Sequence, residues 1–553
     1  MTLIVIGLDS AEPSMVEEFI ASGDMPVLKE LRARGAYGRL ENFSEFTAEL
    51  PWTTFATGVM PEKTGYWTPI KYTADYQVRT RAAYEYEEFP AFFALGDKYR
   101  VCCFDIPQIR LQKGLNGIQV NAWGSHSPQV SAASSPPELY QEITDKYGVH
   151  PGLHADYAHA LSMDEVKQVY DRLMDGIDRR ACVGVELLKR EPWDLFLTVF
   201  GETHGAGHNF WQFEPDHPLC DSNIPGKEGL PERPMKEILM AIDRAIGKIV
   251  DSAPEGATVL VFSAHGMGAN TMDIPSTLFL PELMYRWHYG RPALASGLHS
   301  TELLLEQEWG TWTRHIWNTV EPGGWIRKLA RKKLPSRLYR YWARYFEIDQ
   351  PDFPMCPVKA SERFSDIPSW MPSVWYRNCW PNMKGFALGS FSEGYIRVNV
   401  KGREVHGVVE PGDFQSVIDE IREVLGELRC VRTGEPMVAK TLQMREDPLD
   451  SNEKLSDADL VVTWQEKFAS DCVEHPRFGT IGPVPHFRAG SHRHTGFYLA
   501  AGDQIAADAQ VGEGHALDLP PSILQLLGAA IPEYMQGKVI SALLQRKAAS
   551  EAL

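Results

Sequence analysis

The chain has 553 residues, 44% of them hydrophobic and 23% charged, with a formal net charge of -18. That length can bury a large core spread over roughly two to four domain-sized units, and the acidic balance argues against a general nucleic-acid or anionic-membrane binder, because both partners are polyanions. A small anionic substrate stays compatible, since a local cationic site can sit in an acidic protein. No apolar run reaches the roughly 18 residues that a spanning helix needs. The opening "MTLIVIGLDSAEP" meets Asp9 early and lacks a basic n-region and a small-residue cleavage site, so it reads as a first strand and not as a signal peptide. Eight cysteines with no CxxC pair do not form a disulfide framework. A cytoplasmic location is the expectation.

Taken in chain order, "LIVIGLD" is a continuous apolar run that places Asp9 at its C-terminal end, and "PSMVEEFIASGDMPVLKELRARGA" follows at helical spacing. Further buried-strand runs are "RVCCFDIP" (100–107), "DLFLTVFGE" (194–202) and "ATVLVFSAHG" (257–266), separated by helical patterns at 163–190 and 234–252. Such alternation predicts an α/β fold, a mainly parallel sheet with helices on both faces. Ligands of such sheets bind beyond the carboxyl ends of the strands, where Asp9, Glu202, His204 and His265 all fall. Residues 300–385 are rich in Trp, Arg and Tyr and helical in pattern, and read as an insertion between residues 1–299 and 386–553 of the core. The basic run 327–342 invites a membrane or partner reading beside the plainer one of a solvated helix pair. Beyond it, "EGYIRVNV" predicts a strand, "FQSVIDEIREVLGEL" a helix, "DADLVVTW" and "TGFYLAAG" further strands of the sheet, and "ALDLPPSILQLLGAA" a loop and closing helix.

Five stretches carry chemistry. Asp9 ends the first strand. "GETHGAGHNFW" sets His204 and His208 four apart, which on a helix puts two imidazoles on one face. "SAHGMG" puts His265 just past a strand, and "GSHRHTG" offers His492 and His494 between glycines. "TAELPWTTFATGVMPEKTGYW" (47–67) is dense in Thr, Pro and Gly, and a hydroxyl on a loop entering a helix can act as a nucleophile, with helix N-terminal amides aimed at an anion. Each has a plainer reading as a turn, a cap or a polar loop.

Together, and in this order, "IGLDSAEPSMVEEFIASGDMPVLKELRARGA", "PWTTFATGVMPEKTG", "ETHGAGHNFW", "FSAHGMG", "EGYIRVNVKGRE", "GSHRHTG" and the late "DLPPSILQLLGAAIPEYMQGK" resemble the type I phosphodiesterase/nucleotide pyrophosphatase branch of the alkaline phosphatase superfamily. The resemblance implies an alkaline-phosphatase-like, doubly wound core with metal ions at the strand ends, commonly zinc, with manganese or iron as alternatives. It implies Asp9 and His265 as ligands on the nucleophile side and His208 and His492 as ligands of the other metal. His204 stands where the family usually has an aspartate of that second set, and Ala264 stands where it has the aspartate of an Asp-His pair. The nucleophile it implies is Thr47, which would also ligate the first metal. The spacing from Thr47 to Trp52 is one residue longer than in relatives, so Ser44, Thr53 and Thr54 stay alternatives. The sulfatase signature CxPxR is absent. Lys401 and Arg403 are candidates for positive charge near the substrate, beside the alternative of a sheet-packing salt bridge.

The reading that follows is a metal-dependent hydrolase or transferase acting on a phosphate ester or diester, nucleotide-like or otherwise, with residues 300–385 as a lid or specificity element. Two others stay beside it. One is a single-metal transferase of a phosphoryl, sulfuryl or sulfamoyl group; the other is a catalytically impaired anion-binding protein, with Ala264 natural or introduced. Substrate identity and oligomeric state are open at this level.

Overall fold

The structure, a computed structural model, describes residues 2–47, 50–152, 159–217, 220, 224, 226–294, 310–311, 325–335, 337–338, 341–342, 371–484, 488–507, 509–510 and 514–544. The insertion expected at 300–385 and its suggested lid lie mostly outside these residues.

The organising element is a ten-stranded sheet. Its strands are Leu3–Leu8 (β1), Gly35–Glu41 (β2), Gly96–Phe104 (β3), Leu115–Asn121 (β4), Ala133–Ser135 (β5), Leu195–Phe200 (β6), Thr258–Ser263 (β7), Thr495–Ala501 (β8), Ala509–Gln510 (β9) and Gly514–His515 (β10). Across the sheet they run β9-β2-β8-β7-β1-β6-β3-β4-β5, with β10 also on β2. β7, β1, β6, β3 and β4 are mutually parallel. Every residue of β1, β6 and β7 is buried, which is why these strands read as unbroken apolar runs.

Helices cover both faces. Pro13–Ser22 (α1), Pro26–Ala33 (α2), Met163–Arg190 (α4) and Pro234–Val250 (α6) share one apolar cluster with one side of the strands. Leu50–Thr57 (α3) and Leu519–Leu527 (α7) belong to a second cluster with the other side. Between α4 and α6 lies Glu202–Phe210 (α5). α4 starts at a reciprocal cap in which Ser162 N donates to Glu165 Oε2 at 2.9 Å and Glu165 N to Ser162 Oγ at 3.4 Å.

β8, the "TGFYLAA" strand, joins the main sheet as expected, antiparallel to both β7 and β2. One feature differs from the sequence expectation. "DADLVVTW" forms Leu460–Trp464, which is no strand of the main sheet but part of a separate antiparallel sheet with Gly385–Ala387, Gly394–Val398 and Val438–Gln443. Helix Phe414–Gly426 packs there, in a third apolar cluster of its own. A short apolar run predicts a strand but not the sheet it joins, because either sheet buries it equally well. Among the described residues, no helix is long and apolar enough to cross a membrane.

Candidate metal centre

The parallel register fixes the location. Leu8 pairs with Phe200, Gly7 with Phe262 and Phe104 with Thr198. Four strands therefore stop at nearly one level, and the residues after them, Asp9, Asp105, Glu202 and Ala264-His265, emerge at one edge. Ser263 links two of these ends, its hydroxyl lying 2.7 Å from the carbonyls of both Leu8 and His265 and accepting from Ala11 N at 3.1 Å.

α5 continues from β6 and carries His204 and His208 one turn apart. His492 comes from the short strand Gly490–Arg493, where it pairs with Met267 of Gly266–Ala269, the strand that follows His265. The ring nitrogens of His204, His208 and His492 lie within 4.8 Å of one another, all buried. His208 Nδ1 sits 2.8 Å from the Gly490 carbonyl. A carbonyl only accepts, so Nδ1 carries the proton and Nε2 keeps its lone pair for a metal, a common outer support for a ligating histidine. The approach requires glycine on both sides: a Cβ at Gly490 would stand 2.3 Å from Gly207 O, and one at Gly207 2.7 Å from Met267 Cγ.

Asp9 and His265 close the other side. Asp9 Oδ1 accepts from Trp52 Nε1 at 2.9 Å and lies 3.7 Å from His265 Nε2, while its Oδ2 lies 3.6 Å from His204 Nδ1. Both residues are 1% exposed. Burial pulls the His265 imidazole down to about 4, only partly offset by Asp9. Burial, followed by the neighbouring His204, His208 and His265, holds His492 well below its ordinary range. Histidines kept neutral are histidines in ligand form. Three convergent imidazoles and a carboxylate within reach suit a borderline dication such as zinc; with Asp9 as the carboxylate beside them among the described residues, they suit magnesium or calcium poorly.

A buried polar network braces the site from behind. Arg180, on α4, reaches Asp105 at 2.8 Å and Glu202 at 2.8 Å, with all three side chains fully buried. His150 Nε2 contacts the same Glu202 carboxylate at 2.8 Å. Burial alone would raise the Glu202 carboxyl, but Arg180 and His150 outweigh it and hold it at about 2.

The Thr47 hydroxyl, the implied nucleophile, donates to Glu393 Oε1 at 2.6 Å, and its backbone N donates to the same oxygen at 2.8 Å. Burial pushes the Glu393 carboxyl up to about 7 despite these two donors. Of the alternatives, Ser44 lies in a turn before Thr47, and Thr53 and Thr54 lie inside α3, where the Thr54 hydroxyl bonds back to Leu50 O at 2.9 Å. Ala264 is 1% exposed, in the apolar cluster under α3, and its carbonyl accepts from Asn42 Nδ2 at 2.9 Å. Lys401 is paired with Glu410 at the surface. Arg403 bonds Glu404 at 3.0 Å and Asp459 at 2.7 Å, a packing role in the second sheet.

The sequence reading passed over several neighbours of the site. Glu393 immediately precedes the "GYIRV" strand and comes from the second sheet. His126 stacks on His204 with ring centroids 4.7 Å apart and planes 12° off parallel. Ser10 lies beside Asp9 with its hydroxyl among the histidines.

A family model described as type I phosphodiesterase / nucleotide pyrophosphatase matches residues 3–295. No curated protein matches the chain. Among solved structures, wild-type alkaline phosphatase PafA is similar with a TM-score of 0.50 at 11% identity, covering 98% of this chain and 98% of that one. Murine ectonucleotide pyrophosphatase/phosphodiesterase 5 gives a TM-score of 0.45 at 11% identity over 97% and 98% of the two chains. Phosphonoacetate hydrolase from Sinorhizobium meliloti 1021, in complex with phosphonoformate, gives 0.42 at 13% over 95% and 96%. At such identities the likeness to PafA shows a shared fold.

Proposed function

Because the chain belongs to the type I phosphodiesterase / nucleotide pyrophosphatase family, we propose that it is a metal-dependent hydrolase or transferase acting on a small phosphate ester or diester through Thr47. The family is one of phosphodiesterase- and phosphatase-type hydrolases, and the fold is that of the alkaline phosphatase superfamily. The observation that carries the reading is the buried convergence of His204, His208 and His492 at the carboxyl edge of the parallel strands, beside Asp9 and His265.

In this reading His204, His208 and His492 hold one divalent metal, and Asp9, His265 and the Thr47 hydroxyl are the weaker second set. Zinc is the first choice, with manganese or iron as alternatives. Bound there, a dication supplies a Lewis acid for a phosphoryl oxygen and lowers the pKa of a coordinated hydroxyl. The residues of the chain do the rest. Trp52 orients Asp9 through its indole N–H. Glu393, held near neutrality by burial, is positioned to take the Thr47 proton as Thr47 attacks phosphorus in line. The ester P–O bond breaks as the Thr47 Oγ–P bond forms, and the leaving alkoxide departs as the alcohol with a proton from solvent; water or an acceptor alcohol then attacks phosphorus, gives its proton to solvent and displaces Thr47, which regains its proton from Glu393. Apolar walls from α3 and β7 keep the ligand side dry, which strengthens charge stabilisation.

A single-metal transfer of a phosphoryl, sulfuryl or sulfamoyl group is the second reading. One observation favours it: the Ala264 side chain offers no carboxylate beside His265.

The test is elemental analysis of protein purified without chelator, paired with an aryl phosphodiester assay. About two metals per chain with turnover supports the two-metal hydrolase, and about one supports the single-metal form. Metal-free protein without turnover sinks both. His208→Ala should abolish metal retention; retention in that variant shows the ligand assignment to be wrong.

A further inference from the structure

Ser10 follows Asp9 directly and is 1% exposed. Its Oγ lies 2.8 Å from His265 Nε2, 3.3 Å from His492 Nδ1, 3.5 Å from His204 Nδ1 and 3.4 Å from Asp9 Oδ1. One hydroxyl thus touches both halves of the centre, the Asp9–His265 side and the histidine triad. A serine hydroxyl has one proton to give and two lone pairs, so it cannot satisfy four such neighbours as hydrogen-bond partners at once. The separations match another arrangement. Two donors each about 2.0–2.1 Å from a tetrahedral zinc stand roughly 3.3 Å apart; Ser10 Oγ, 3.4 Å from Asp9 Oδ1 and 2.8 Å from His265 Nε2, brackets that spacing and stands as a third donor beside the Asp9–His265 pair.

The backbone adds to this. Ser10 has φ +61°, the left-handed region where a residue with a Cβ is uncommon and glycine is at ease. Ser10 holds that conformation with its hydroxyl turned toward His204, His265 and His492. Ala264, next to His265, is packed in an apolar cluster and its side chain supplies no donor atom.

We propose that Ser10 is a metal-binding residue of this centre, its hydroxyl oxygen coordinating the dication held by Asp9 and His265. The inference rests on the metal reading of the site. It makes the oxygen donors of that half one carboxylate and one neutral hydroxyl, so the bound ion keeps more net positive charge and favours an anionic ligand.

The experiment uses the full chain, stripped and reloaded with Zn²⁺ or Co²⁺, and compares wild type with S10G, S10C and H208A. Readouts are Zn²⁺ affinity by competition with a chromophoric chelator, the visible spectrum of the Co²⁺ form and the melting temperature of the metal-free protein. S10G removes the donor and relieves the strained φ. It should melt no lower than wild type without metal yet bind Zn²⁺ at the affected site at least about tenfold more weakly, with an altered Co²⁺ spectrum. S10C keeps a donor and should show a sulfur-to-cobalt charge-transfer band. If wild type binds Zn²⁺ and Co²⁺, H208A weakens binding, and S10G matches wild type in affinity and spectrum while S10C shows no such band, the Ser10 assignment is overturned and the histidine site stands. If wild type takes up neither ion, the metal reading falls and the Ser10 assignment with it.

Discussion

Ala264 stands where the resemblance implies an aspartate ligand, so a substitution there tests the proposed site directly. Its methyl group sits in an apolar cluster and is 1% exposed. Ala264→Asp would bury a carboxylate there, which in metal-free protein should cost about 1–3 kcal/mol for want of a partner. Added zinc should recover that loss and raise activity toward an aryl phosphodiester, checked by thermal melts with chelator and with zinc alongside the assay. Unchanged metal content and activity would remove position 264 from the metal site. Glu393 makes the second residue-scale prediction. Its carboxyl is raised from an ordinary value of 4.5 to about 7 by burial, so the fold favours the protonated form. The stability it contributes is complete below about pH 4.5 and is lost as pH rises through about 7. Glu393→Gln should flatten that decline in urea denaturation between pH 5 and 8, and should lower turnover, since an amide cannot take the Thr47 proton.

Elements are held at the site by contacts that join distant parts of the chain. The Arg180 guanidinium ties α4 to the end of β3 through Asp105 and to the start of α5 through Glu202, all fully buried. Removing it takes the shared cation from two buried carboxylates, leaving Glu202 to His150 and Asp105 to the Trp123 and Gly124 amides and the Ser125 hydroxyl, and breaking such a buried pair costs about 3–5 kcal/mol. Arg180→Met should therefore lower chemical stability on that order and weaken zinc affinity, because α5 presents His204 and His208 from its first turn onward. A stability loss with unchanged zinc affinity would limit the network to folding. The start of α2 is capped in the same cross-chain manner: Asp243 of α6 accepts from Val27 N at 3.0 Å and Leu28 N at 2.9 Å. Asp243→Ala should cost about 0.5–2 kcal/mol, read from denaturant midpoints, with zinc affinity unchanged.

Across the whole molecule, the proposed ligand set spans almost the full chain, from Asp9 to His492. An ion that binds the folded centre and not the unfolded chain stabilises the fold by mass action, about 2.7 kcal/mol at a free concentration 100 times its Kd. Zinc should raise the melting temperature of the entire cooperative unit, chelator should lower it, and His208→Ala should abolish the response. A transition insensitive to zinc and chelator would count against a centre that links the two ends of the chain. The second sheet shares in the site as well, because Glu393 reaches Thr47 from it. The linkage follows from packing: Phe43, Phe46, Leu50 and apolar residues of 66–78 and 272–294 belong to the apolar cluster of that sheet.

Much of this was legible in one dimension. The strands around Asp9, Glu202 and His265 announce themselves as unbroken apolar runs because they are buried on both faces, and the four-residue step from His204 to His208 is a helical face. Position at a strand end is a property of local sequence, so the sequence by itself determined the α/β core, the edge where chemistry collects and most of the charged and imidazole side chains there. Which strands share a sheet, and in what direction, was decided only by tertiary structure. β8 joins antiparallel and Leu460–Trp464 joins another sheet, since a short buried strand carries no mark of its partner. The same holds for contacts across hundreds of residues. Glu393 beneath Thr47, Arg180 between Asp105 and Glu202, and the Ser10 hydroxyl among the histidines of positions 204, 265 and 492 are set by three-dimensional convergence, which no spacing along the chain records.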